Sequence, residues 1–124
     1  MKSKLIALCA LIFAFALTVP SAHAVCARVV TIQTDQLDQY VKELQRGNAI
    51  MKRAGSSTVL RAWVSRFSGP NTGAVHVVLE YPTMSALAAD LEKLEANAEF
   101  TAWLKGLSSI RKVVSDSIMQ ELKL

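Results

Sequence analysis

The sequence predicts an α+β domain in which strand and helix follow one another as β-α-β-β-α-β, behind a short apolar leader. Three observations carry this. Residues 25–34 and 111–122 read as strands at the two ends of the domain, rich in β-branched or alternating residues. Between them, two stretches repeat their apolar residues at helical spacing. The dense turn signal Ser68-Gly69-Pro70-Asn71-Thr72-Gly73 joins two further strand-like runs, 58–67 and 74–81, across a gap so short that they form an antiparallel hairpin.

The leader is residues 1–24. Lys2 and Lys4 give it a positive start, residues 5–19 are apolar and uncharged, and Pro20 breaks the run before Ala22-His23-Ala24. This is the pattern of a secretory signal peptide cleaved after Ala24. The apolar run is shorter than the roughly 20 residues a spanning helix needs. Val25 stands where a lipoprotein would carry a small residue before Cys26, which disfavours a lipid anchor. The processed chain is therefore expected to be exported, periplasmic or secreted, and free of the membrane once the signal is gone.

The leader also distorts the composition of the 124-residue chain, which is 52% hydrophobic overall. In residues 25–124, 47 side chains are apolar, and 12 basic residues face 10 acidic ones. That is the balance of one ordinary globular domain with a thin core, for which a partner subunit is a plausible aid. The basic residues are scattered and no aromatic-interleaved basic run occurs, so nucleic acid is not the expected target. Cys9 departs with the leader, leaving Cys26 alone in an oxidising compartment, so no internal disulfide can form. Cys26 reads as a small buried residue of the first strand, with an intermolecular disulfide the minor alternative.

Within the domain, Asp35 is placed to cap a helix whose Leu37, Val41, Leu44, Met51 and Ala54 form its apolar stripe, and Gly55 is placed to end it. Pro82 stops the hairpin's second strand, and Thr83 caps a helix with Met84, Leu87, Ala88, Leu91 and Leu94 on one side. Asn97 caps a further short helix carrying Phe100, Trp103, Leu104 and Leu107. In the last strand Val114, Asp116, Ile118, Gln120 and Leu122 alternate against Val113, Ser115, Ser117, Met119 and Glu121.

Centring the hairpin between Pro70 and Asn71 sets Phe67 opposite Ala74, Ser65 opposite His76, Trp63 opposite Val78 and Arg61 opposite Glu80, all on one face. The other face, with Leu60, Ala62, Val64, Arg66, Val75, Val77, Leu79 and Tyr81, suits the underside of the helices. The first face is mixed, and no helix of this chain is left to cover it, so it calls for a partner.

The β-α-β-β-α-β order, the segment Val77-Val78-Leu79-Glu80-Tyr81-Pro82-Thr83-Met84-Ser85-Ala86-Leu87 and the helix at 100–107 resemble the dimeric α/β-barrel superfamily of ferredoxin-like folds. Its members include antibiotic-biosynthesis-type monooxygenases, NIPSNAP-like proteins and small stress-response proteins. The resemblance covers residues 25–124 and implies a four-stranded antiparallel sheet with helices on one face. It also implies a homodimer whose two sheets enclose a barrel. It marks a fold rather than a reaction, and no functional residue is carried over from it. Some haem-degrading relatives use an axial histidine on a helix, whereas the sole histidine of residues 25–124, His76, lies on a strand, so haem is not expected.

The candidate residues follow from the mixed face. His76 could act as a proton shuttle or general base, although a lone histidine bonded to Ser65 at an interface is the plainer reading. Arg61, Trp63, Ser65 and Glu80 are candidate ligand contacts, with an Arg61–Glu80 cross-strand pair and Trp63 in a dimer core as their structural alternatives. Trp103 reads as helix-to-sheet core. One histidine and one cysteine without a carboxylate cluster do not make a metal site, and no cofactor motif occurs. Two functions are carried forward. The first is an exported domain that binds a small organic molecule or serves as an interaction module. The second is a cofactor-independent monooxygenase or isomerase, acting on a small organic substrate in the barrel-side pocket with His76 as base.

Overall fold

The computed structural model describes residues 25–124, so the leader and its cleavage site lie outside the described residues. Strands β1 (Cys26–Gln33), β2 (Arg61–Val64), β3 (Val75–Tyr81) and β4 (Lys112–Gln120) form one antiparallel sheet in the order β2-β3-β1-β4. Helices α1 (Leu37–Arg53), α2 (Met84–Glu95) and α3 (Ala98–Gly106) pack on one side of it. This is the α+β arrangement expected from the sequence. None of these helices is long and apolar enough to cross a membrane.

Two of the three expected N-caps form. The Thr83 hydroxyl accepts from Ala86 N–H at 3.0 Å and the Asn97 side-chain oxygen accepts from Phe100 N–H at 2.9 Å, each satisfying an otherwise orphaned donor. Asp35 does not cap α1. The helix begins after Gln36 without a side-chain cap, and the Thr34 hydroxyl accepts from Gln36 N–H while donating to the Ile110 carbonyl at 2.6 Å. Thr34 thus ties the start of α1 to the chain entering β4. Gly55 closes α1 with φ +79°, a conformation that favours glycine.

The buried stripe of α1 is Tyr40, Leu44, Gly47, Ile50 and Met51, whereas Leu37 and Val41 lie exposed. Rotating the stripe in this way brings Gly47 under α3. The Trp103 ring rests on it so closely that a Cβ at position 47 would overlap the indole. The indole N–H donates to the Glu43 carbonyl and carboxylate at 3.1 Å, and Phe100 packs against the ring at 5.5 Å.

Two apolar clusters result. Ile32, Val75 and Val77 meet Tyr40, Leu44, Ile50, Trp103 and Leu107 at one end of the sheet, and Cys26, Leu79 and Tyr81 meet Met51, Leu87 and Leu94 at the other. Leu60 and Phe100 touch both. In the second cluster Asp90 occupies a place in the buried stripe of α2 with only 3% of its surface exposed. Its carboxyl oxygens accept from Tyr81 Oη at 2.7 Å, Ser56 Oγ at 2.8 Å and Ser57 N–H at 3.2 Å, so both oxygens of the buried group are bonded.

The hairpin differs from expectation in register. Arg61 pairs with Val78, Trp63 with His76 and Val64 with Val75. Ser65 N–H bonds the Ala74 carbonyl and Gly73 N–H the Ser65 carbonyl. The pairing is displaced by two residues because the turn holds a short 3-10 helix, Gly69–Asn71, and positive φ at Gly69 and Gly73. β2 stops at Val64, short of the expected 67, so Phe67 projects from the loop fully exposed and Ala74 is buried instead of facing it. Before β2, the Asn48 side chain replaces the ladder, accepting from Leu60 N–H at 2.6 Å and donating to its carbonyl at 3.1 Å.

A bulge also re-phases β4. Thr31 pairs with Ser115 but Ile32 with Val113, leaving Val114 as the extra residue and moving Val113 to the helix side. All nine residues of β4 are exposed, because the helical layer ends over β1.

Gly47→Ala is expected to destabilise the domain by about 1–3 kcal/mol through overpacking against Trp103, read by urea denaturation. An alkaline limit is also expected. Burial, followed by the bond to Asp90, pushes the Tyr81 phenol above the ordinary value of 10.0. A raised folded-state value stabilises fully below the unfolded value, so stability should hold up to about pH 10 and fall above it as the unfolded chain ionises. Denaturation midpoints between pH 8 and 11 measure this, and Tyr81→Phe should flatten the fall.

Candidate functional site

The two faces of the sheet carry different chemistry. On the open face, β1 contributes Ala27, Val29 and Thr31, β3 contributes His76, Val78 and Glu80, and β2 contributes Arg61 and Trp63, with Ser65 just beyond. A two-residue displacement keeps every side chain on its side of a strand, so Arg61, Trp63, Ser65, His76 and Glu80 do share one face. Their contacts become diagonal rather than directly opposite. Ser65 Oγ lies 2.6 Å from His76 Nε2, and Arg61 Nη1 lies 3.5 Å from Glu80 Oε2. The Arg61 guanidinium also sits 5.0 Å from the centre of the Trp63 ring.

Thr31 was not foreseen here. Its hydroxyl reaches His76 Nδ1 at 3.0 Å, so both ring nitrogens are engaged by hydroxyls. A hydroxyl can donate or accept, so the cradle suits either tautomer of the ring. Among the described residues no carboxylate bonds the imidazole. Trp63 remains 46% exposed and the Arg61–Glu80 pair is about half exposed, as a face without a covering layer requires.

The helix side holds a partly open pocket that sequence reasoning missed. A cavity of about 270 Å³ lies between the two apolar clusters. Val30, Val77 and Leu79 form its floor on the sheet, Leu91, Leu94, Phe100 and Trp103 its roof on α2 and α3, and Leu44 and Leu60 part of its wall. Its polar lining is Arg28, Glu95, Arg111 and Asp116. None of the five open-face residues lines it.

Arg28 and Asp116 form a two-pronged pair, Nε to Oδ1 at 3.0 Å and Nη2 to Oδ2 at 2.6 Å. The Arg28 bond holds the Asp116 carboxyl below its usual range, with Arg111 adding to the effect, and the same bond raises Arg28. Arg111 Nη1 donates to Tyr40 Oη at 3.1 Å, and its guanidinium lies 6.0 Å from the Tyr40 ring centre. The bare side of β4 forms the cavity's outer wall through Val113 and Asp116.

Cys26 is buried in the second cluster, its thiol 3.7 Å from the Tyr81 carbonyl. Among the described residues no three His, Cys, Asp or Glu side chains gather as a metal site would require.

No protein-family model matches the chain, and no curated protein matches it. Solved structures do. A NIPSNAP family protein of Agrobacterium tumefaciens superposes with a TM-score of 0.63 at 16% identity, over 85% of this chain and 90% of that one. An uncharacterized NIPSNAP domain protein from Burkholderia xenovorans gives 0.59 at 18% identity, over 82% and 94%. SnoaB, a cofactor-independent oxygenase from Streptomyces nogalater, gives 0.57 at 11% identity, over 82% and 96%. At such identities the likeness is one of fold. The chain has the ferredoxin-like fold found in NIPSNAP proteins and antibiotic-biosynthesis monooxygenases, the superfamily that its sequence resembles.

Proposed function

We propose that this protein is an exported, homodimeric small-molecule-binding domain. Its ligand occupies the cavity between helices and sheet, and the open sheet face carrying Arg61, Trp63, Ser65, His76 and Glu80 packs against a second copy. The single observation that carries the binding reading is the cavity itself. It is a mostly apolar space of about 270 Å³ with a few polar groups at one side, the form that small-molecule sites take. Support for the dimer is the open face, where no helix covers the sheet and Trp63 stands exposed beside half-buried Val29 and Val78. Export rests on the leader of residues 1–24.

A second reading is favoured by the 2.6 Å contact of Ser65 with His76 and by the likeness in fold to a cofactor-independent oxygenase. In it His76 is the base of a cofactor-independent oxygenation or isomerisation, acting in the space between two sheets. The Thr31 and Ser65 hydroxyls weigh against this. They occupy both nitrogens, so the ring would take a proton only by giving up one bond or by relay through a hydroxyl.

Native mass spectrometry of the processed protein purified from its own host tests the first reading. The expected spectrum is a dimer with a retained small molecule, and a bare monomer would overturn it. His76→Ala should leave that retained mass in place, whereas under the second reading it abolishes turnover of the molecule so identified.

A further inference from the structure

We infer that the ligand of the helix-side cavity is an organic acid, with a compact apolar body in the cavity and a single carboxylate head set against Arg111. This rests on the reading of that cavity as the binding site. Four charged residues line the space. Arg28 and Asp116 are committed to each other through two bonds, and Glu95 is exposed at the rim. Arg111 is different. Among the described residues no carboxylate lies within ion-pair distance of it.

Its one side-chain bond is to the hydroxyl of Tyr40, a residue with no exposed surface. That bond, with the ring beside it, holds a half-buried guanidinium at an apolar cavity while most of its N–H donors lack a protein partner. A guanidinium so placed matches a carboxylate in shape and charge, and the cost of ordering it is already met. Arg111 also lowers the Asp116 carboxyl, so its charge reaches the end of the cavity where Arg28 and Asp116 meet. The size of the body follows from the volume. A dry cavity of about 150 Å³ holds benzene, so 270 Å³ suits a bicyclic or similarly compact body of about ten to twelve non-hydrogen atoms.

The test varies only the head group. Naphthoate, naphthylmethanol and naphthylmethylammonium are titrated into the purified protein by calorimetry. Naphthoate is expected to bind about tenfold or more tightly than the alcohol, and the cation more weakly than either. Arg111→Gln should reduce naphthoate to the level of the alcohol without changing the alcohol, whereas Arg111→Lys, which keeps the charge, should retain a preference for the acid. Asp116→Asn, which removes the competing carboxylate, should tighten naphthoate. If the three bind alike and Arg111→Gln changes nothing, the acid is overturned while the cavity reading stands. If none binds, both fall. If Arg111→Gln loses all three and Arg111→Lys shows no preference for the acid, Arg111 supports the cavity wall only, and the inference is overturned.

Discussion

How closely α3 can approach α1 decides everything on the helix side of the sheet, and that distance is set at Gly47. With no side chain there, the Trp103 indole comes up against the α1 backbone and turns its N–H to Glu43. The ring then serves two purposes. One edge closes the first apolar cluster, and another part roofs the cavity beside Phe100. Any larger residue at 47 would lift α3, loosen that cluster and change the shape of the pocket together. The second cluster has its own fixed point, since Asp90 gathers Tyr81, Ser56 and Ser57 and so locks α2 to the end of β3 and to the chain leading into β2.

The sheet therefore has a rigidly organised inner face and a bare outer one. The inner face owes its cavity to the gap between two clusters that touch through Leu60 and Phe100. The outer face owes its character to alternation: the same strands that bury Val75, Val77 and Leu79 must present His76, Val78 and Glu80 on the other side. Polar groups there satisfy one another across strands, in the Thr31–His76–Ser65 chain and the Arg61–Glu80 pair, and leave Trp63 and the valines as the apolar surface between.

Much of this was legible because local chemistry decided it. Thr83 and Asn97 cap, Gly55 terminates, and period-two alternation assigns the hairpin's faces for any register displaced by an even number of residues. That is why Arg61, Trp63, Ser65, His76 and Glu80 fall together although their partners differ from those expected. The register itself was not legible, since it depends on backbone angles at Gly69 and Gly73 that the residue types only permit. Nor was the α1 stripe. Apolar Leu37 and Val41 compete with amphipathic Tyr40 for the buried side, and it is Tyr40 that packs in the first cluster, its hydroxyl bonded by Arg111. The cavity lay furthest from view, because Arg28, Leu60, Leu91, Trp103 and Arg111 are scattered along the chain and only the packing of helices on the sheet brings them together.

The bulge at Val114 has a consequence for how this molecule keeps company. β4 is an edge strand, apolar in places on both sides, and a long regular edge of that kind is a template on which further chains can add without limit. The extra residue interrupts the even spacing of donors and acceptors near the start of that edge, and Asp116 with its serine neighbours charges and wets the middle. An edge so marked is a poor template for repeated strand addition, which works against fibre formation.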